Sequence, residues 1–205
     1  MTTVGKSRFR LGVTGGIGSG KTSVCRVFSV LGIPVFSADR EAQYIMENDK
    51  DIMRKINSLA GQDLYTGGSL NRTELAKIIF NDSALLNKVN MLVHPAVFDR
   101  FRKWVQDQSS PYTIMEAAIL FESGASMLVD RIVTVVAPIE ERIKRVIMRN
   151  KLTREQVKER MKNQMDDEGR RKLSDYIIYN SENEMIIPAI LGIHNEILEL
   201  INIQS

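Results

Sequence analysis

Residues 11–23 read Leu-Gly-Val-Thr-Gly-Gly-Ile-Gly-Ser-Gly-Lys-Thr-Ser. Within them, residues 15–22 fit the spacing glycine, any four residues, glycine, lysine, serine or threonine, which suits a loop that holds a polyphosphate. Glycines let the main chain wrap closely around phosphate oxygens with no Cβ in the way. The amides of Gly16, Ile17, Gly18, Ser19, Gly20, Lys21 and Thr22 are therefore expected to converge on the anion, with Ser23 in the helix behind them. That helix's N-terminus adds about half a unit of positive charge. Lys21 can reach the β and γ phosphates, and the Thr22 hydroxyl is the candidate Mg²⁺ ligand.

The flanking residues supply the elements such a loop needs. Apolar Phe9, Leu11 and Val13 alternate as a strand before it, and Val24, Val27, Phe28 and Leu31 recur at helical spacing after it. Val35-Phe36 begins a second strand ending at Ser37-Ala38-Asp39. Ligands of an open parallel sheet bind beyond the carboxyl ends of its strands, so Asp39 is the candidate base, with capping of a helix from Arg40 as the other reading. Residues 112–115 form a third strand ending at Glu116, and 131–137, nearly continuous in Ile and Val, a buried fourth. Residues 176–178 form a fifth, ending near Asn180, and a last helix covers 184–203.

Between strands two and three lie about 65 residues with helical patterning and no strand, read as an insertion suited to a second substrate. His94-Pro95 is expected to break its last helix at a bend, because the residue before proline avoids helical geometry. After strand three, residues 119–122 end in Glu122, which like Glu116 could assist Mg²⁺ or accept from a substrate hydroxyl.

The charge is unevenly spread. The chain carries a net +3, yet residues 139–172 hold 12 Lys and Arg against 7 Asp and Glu. Arg142, Arg145 and Arg149 fall on one helical stripe there, and Thr153 with Gln156 has the spacing of a capping box for the next helix. The pair reads as a basic lid over a triphosphate. Cys25, the sole cysteine, reads as a buried thiol. No apolar run approaches the roughly 18 residues of a membrane span, and residues 1–10 are too short and polar for a signal peptide, so a cytoplasmic location with no membrane or nucleic-acid partner is expected.

Absent motifs narrow the class. A guanine-reading Asn-Lys-x-Asp would sit after a late strand, but residues 150–153 read Asn-Lys-Leu-Thr. The fourth strand ends Val136-Ala137-Pro138, without the acidic end usual in motor ATPases. A small-molecule kinase remains, with a nucleotide-regulated binding module as the alternative from another class.

The ordered set of residues resembles the dephospho-coenzyme A kinase family over nearly the whole chain. It comprises residues 14–21, Leu31-Gly32-Ile33, Ala38-Asp39, Leu70-Asn71-Arg72 with Leu75 and Phe80, and His94-Pro95. It continues through Leu120-Phe121-Glu122, Arg145 with Arg149, Thr153-Arg154-Glu155, Gln164, Arg170, Asp175 and Asn180. The chain departs from many members at Ser37, where they have aspartate, and at Ala118, where they have proline. The resemblance implies an α/β fold, a three-layer phosphate-loop kinase with a parallel sheet, helical insertion domain and lid. It implies a nucleotide core of 8–40, 110–138 and 174–205, an acceptor-binding insertion of 41–109 and a lid of 139–173. The implied reaction moves the ATP γ-phosphate, with Mg²⁺, to the ribose 3′-hydroxyl of dephospho-coenzyme A. Lys21, Asp39 and Arg145 match the catalytic positions. Arg149 and Asn180 join the ATP site, with Asn180 near the adenine, and Thr14, Asp39, His94 and Glu122 the acceptor site.

Overall fold

Parallel neighbours need long crossovers, and the sequence places a helical segment after each apolar run. The computed structural model describes residues 8–80 and 82–203; residues 1–7, which carry most of the polar start discussed above, lie outside that range. In chain order the elements are β1 (Phe9–Thr14), α1 (Lys21–Val30), β2 (Val35–Ser37), α2 (Ala38–Asn48), α3 (Lys50–Ala60), β3 (Tyr65–Thr66), β4 (Ser69–Leu70), α4 (Arg72–Phe80) and α5 (Ser83–Gln106). There follow β5 (Tyr112–Glu116), β6 (Arg131–Val136), α6 (Ile139–Asn150), α7 (Arg154–Lys162), α8 (Asp167–Lys172), β7 (Tyr176–Tyr179) and α9 (Ile186–Ile203). The described residues of Met1–Ser37 with Trp104–Ser205 make one unit, and Ala38–Lys103 the other.

The first unit holds a five-stranded sheet, β2-β5-β1-β6-β7, parallel throughout. Its registers bring the strand ends to one rim: Val13 and Ser37 both lie opposite Glu116, and Thr14 lies opposite Thr134. Alternation along β1 separates two faces. Leu11 and Val13 join Ile114, Val133, Val135 and Ile178 in a core closed by Phe28 of α1 and Ile190, Ile193 and Ile197 of α9. Gly12 points the other way, where a Cβ would press on Leu120 at 2.9 Å.

Three expectations change and one helix is added. The insertion does contain strands: β3 and β4 pair as a hairpin around Gly67 and Gly68, at φ +60° and +82°. Two successive positive φ values suit a tight hairpin turn, which glycine makes without strain. Pro95 does not divide its helix, for α5 runs through it. Proline removes one hydrogen bond, but Val89, Val93, Val97 and Phe101 at four-residue spacing are all buried, so one apolar face holds both halves in line. The segment after α7 forms a further helix, α8, capped by Asp166 accepting from Gly169 N–H. Finally, α9 is 18 residues long with a mean hydropathy of 1.4, long and apolar enough to cross a membrane by length and composition. Glu196 and Glu199 interrupt it, and Ile190, Ile193 and Ile197 are spent on the sheet core.

Phe28 is fully enclosed between β1, β6 and α9. Phe28→Ala should destabilise the fold by about 3–5 kcal/mol, the usual cost of emptying an aromatic core site. Urea unfolding should show a lower midpoint with an unchanged slope.

Candidate active site

The loop of residues 15–20 joins the last residue of β1, Thr14, to the first of α1, Lys21. Gly18 and Gly20 take φ +79° and +95°, a region that side chains disfavour. The missing side chains also make room for neighbours. A Cβ on Gly15 would meet the Val135 carbonyl, one on Gly16 the Arg142 guanidinium, and one on Gly20 the Asn180 amide. The loop is therefore packed from behind by β6, α6 and the residue after β7.

Its hydrogen bonds correct the expectation that all its amides face an anion. Ser19 N–H closes a turn on Gly16 O (3.0 Å), and Ile17 N–H donates to Gln164 Oε1 (2.8 Å). Ser23 N–H donates to Gly20 O (2.9 Å), starting the helix. Lys21 Nζ donates to Gly15 O (2.8 Å), curling back over the loop it follows. The exposed Thr22 places Oγ1 2.9 Å from Glu116 Oε1, so β5 delivers a carboxylate to the start of α1. Burial, with that carboxylate adding to it, pushes the Cys25 thiol far above its ordinary range and keeps it protonated.

Asn180 ties three elements. Its N–H donates to Val136 O (2.8 Å), its Nδ2 to Ser19 O (2.7 Å), and its carbonyl accepts from Arg145 Nη1 (3.0 Å). Arg145 Nη2 also reaches Glu141 (2.8 Å). A recess of about 310 Å³ opens beside Asn180, lined by Val136, Ala137, Pro138 and Tyr179 among others. Its volume lies at the lower end of the range of small-molecule sites.

The three arginines of the stripe do different things. Arg142 is 5% exposed and shares the buried face of α6 with Ile143 and Val146. Its Nε donates to Ile17 O (2.9 Å), and its Nη1 pairs with Asp167 (3.0 Å), which also holds the buried Arg170 (2.7 Å). Burial holds its guanidinium below the usual arginine range, and Asp167 offsets only part of that. Arg145 is half-buried against Asn180, whereas Arg149 is exposed and turned to Asn150 Oδ1 (2.8 Å), away from the loop's contacts. A single polyphosphate-facing stripe is thus not formed, because the first arginine is needed under the loop.

Of the residues matched to an acceptor site, Thr14 is fully buried with a hydroxyl lacking a protein partner, and Glu122 accepts from Met165 N–H (2.8 Å). Asp39 and His94 belong to the other unit. Asp39 is the second residue of α2 and not its cap, because the helix begins at Ala38. His94 is half-buried and stacks on Phe98 (centroids 6.2 Å apart), and burial lowers its pKa. Asp167 had no expected role, Arg142 only its share of the stripe, and Gln164 was only a matching letter. Spacing alone does not say which arginine of a helix turns inward.

A phosphate loop leaving the central strand of a parallel sheet, with a lysine curled over it and a Thr–Glu pair beside it, is the arrangement of the phosphate-loop kinases. The sequence model of one such family, Dephospho-CoA kinase, matches residues 9–185. A dephospho-CoA kinase of Bacteroides fragilis is 38% identical over 183 residues, 89% of each chain. A crystal structure from Thermus thermophilus superposes with a TM-score of 0.82 at 31% identity, covering 93% of this chain and 98% of that one. Dephospho-CoA kinase from Campylobacter jejuni superposes at 0.67 with 26% identity, covering 92% and 96%. The chain belongs to the dephospho-CoA kinase family, enzymes that transfer phosphate to an alcohol group.

The packing behind the loop gives a direct test. Gly20 and Gly32 both have positive φ, but a Cβ at Gly32 meets nothing within 4 Å whereas one at Gly20 strikes Asn180. Gly32→Ala should therefore cost only the conformational term, about 1–2 kcal/mol. Gly20→Ala should cost more in the same urea series, since it also displaces the amide that holds Ser19 O.

Proposed function

We propose that this chain transfers the γ-phosphate of ATP, with Mg²⁺, to the ribose 3′-hydroxyl of dephospho-coenzyme A, giving coenzyme A and ADP. The observation that carries the choice of acceptor is the extent of the family match. It runs through the whole of Ala38–Lys103 as well as the loop, and a phosphate loop alone would fit many acceptors.

In this reading the amides of Gly18, Gly20, Lys21 and Thr22, at the start of α1, bind the β and γ phosphates. Lys21 exchanges its bond to Gly15 O for phosphate oxygens and follows the charge as the bond to the leaving group breaks. The recess beside Asn180 takes the adenine. Arg145, reaching Asn180 from α6, adds positive charge to the phosphates. Thr22 Oγ1 and Glu116 Oε1 suit Mg²⁺ in kind: two hard oxygens, one of them anionic, already close together. Thr22 would hold the ion directly and Glu116 through water, and the ion would supply charge neutralisation on the transferred phosphate. Residues 139–173 act as the lid and residues 41–109 bind the acceptor, with His94 and Glu122 among its contacts. Asp39 orients the acceptor hydroxyl and takes its proton as the new P–O bond forms.

Asp39→Asn separates these assignments, because it keeps the shape and an acceptor oxygen but cannot take a proton. Steady-state kinetics should show kcat lower by about 10² or more, within the range of general-base catalysis, with ATP binding nearly intact. A loss confined to ATP affinity would instead put Asp39 beside Mg²⁺, and an unchanged kcat would remove it from the chemistry.

A further inference from the structure

Ile17 sends every group it has toward α6, α7 and the turn after them. Its N–H donates to Gln164 Oε1 (2.8 Å), its carbonyl accepts from Arg142 Nε (2.9 Å), and its side chain packs on the apolar cluster of Ile143, Val146 and Val157. That cluster is separate from the core on the sheet, so α6 and α7 possess a small core of their own. Ile17 is the part of the phosphate loop that enters it.

The anchors on the other side are themselves held. Arg142 is fixed by Asp167, Gln164 Nε2 donates to Ala118 O (3.4 Å), and the neighbouring Met165 N–H is held by Glu122. On either side of Ile17, the flanking glycines touch α6 directly: Gly16 lies against the Arg142 guanidinium, and a Cβ on Gly18 would come within 2.9 Å of Val146. A hydrogen bond to a charged group is stronger than one between neutral groups, so a shift of α6 carries the Ile17 carbonyl with it rather than leaving it behind. The soft dihedrals of Gly16 and Gly18 let the peptide follow. The amides next in the chain then move too.

We propose that Ile17 is a positioning residue, the joint through which residues 139–173 and the phosphate loop move together. Nucleotide on the loop fixes α6 and α7, and those helices in turn set where the loop's amides lie, as linkage requires. This rests on the nucleotide-site reading above. The sequence pattern alone assigned Ile17 an amide for phosphate; the geometry gives that amide to Gln164.

Hydrogen exchange on the full chain, with and without ADP and Mg²⁺, tests it in the parent, Ile17→Ala and Ile17→Val. In the parent, nucleotide should add protection to residues 14–23 and to α6 and α7. Ile17→Ala keeps both backbone hydrogen bonds but empties the apolar contact. It should keep the gain at 14–23 and lose part of the gain in the two helices, while Ile17→Val, which keeps a branched side chain in the cluster, should retain both. Ile17→Ala should also lower kcat about tenfold, within the ~10² that a 1 Å misplacement costs, with the KM for ATP little changed. A simple loss of stability would not split the two regions or the two constants. Full protection of α6 and α7 in Ile17→Ala, or none in the parent, overturns the joint. A parent without protection at 14–23 overturns the nucleotide-site reading itself. Should Ile17→Ala not fold, Gln164→Ala removes one anchor only: a partial loss confined to α6 and α7 supports the joint, and an undiminished gain overturns it.

Discussion

The close packing behind residues 15–20 is the constraint on which the site depends. Amides can be aimed at an anion only if their backbone is held, and a loop of glycines has no side chains to hold it. Here the holding comes from outside: the Val135 carbonyl, the Arg142 guanidinium and the Asn180 amide lie where Cβ atoms would have been. The same absence that admits a phosphate admits these supports. It also dictates what the rest of the unit must supply, namely β6 beside β1, an inward-turned arginine at the start of α6 and an asparagine just past β7.

Electrostatics follows from that geometry. Several of the cations of residues 139–172 are paired within the segment, which leaves its net positive excess in place. Arg142 and Arg170 share Asp167, Arg145 pairs with Glu141, and Arg154 pairs with Glu140. The exposed pairs are worth little to stability. Arg142, Asp167 and Arg170 differ, since two buried guanidinium groups share one carboxylate and leave net positive charge under the loop. Such a charge is screened less than a surface one and favours an anion nearby. The segment proposed as the lid thus also supports the loop, with one arginine beneath it and one beside it.

How much of this was legible in the sequence depended on the range of the interaction involved. The loop, α1 and the buried strands were readable because glycine spacing, helical periodicity and runs of Val and Ile act within a few residues of themselves. The Thr153–Gln156 capping box is present as read, with both halves formed. The hairpin of β3 and β4 escaped because two residues per strand carry no alternation, although Gly67-Gly68 was its visible sign. Pro95 misled because a buried face spaced by four outweighed a lost hydrogen bond. The contacts of Arg142 with Asp167 and of Gln164 with Ile17 were invisible in local pattern, because they join residues 25 and 147 apart in the chain. Glu116 was readable as a carboxylate at a strand end, but its contact with Thr22 required the β1–β5 register.

The proposed activity is one phosphoryl transfer to one hydroxyl. The most direct measurement is to incubate the purified chain with ATP, Mg²⁺ and a panel of hydroxyl acceptors, dephospho-coenzyme A, shikimate and nucleosides among them, and to resolve the products by mass and fragmentation. Phosphate gained by dephospho-coenzyme A at its ribose 3′-oxygen, with ADP formed in equal amount and other acceptors left unchanged, is the expected result. ADP formed at the same rate without any acceptor, or phosphate appearing on another acceptor in preference, would contradict it.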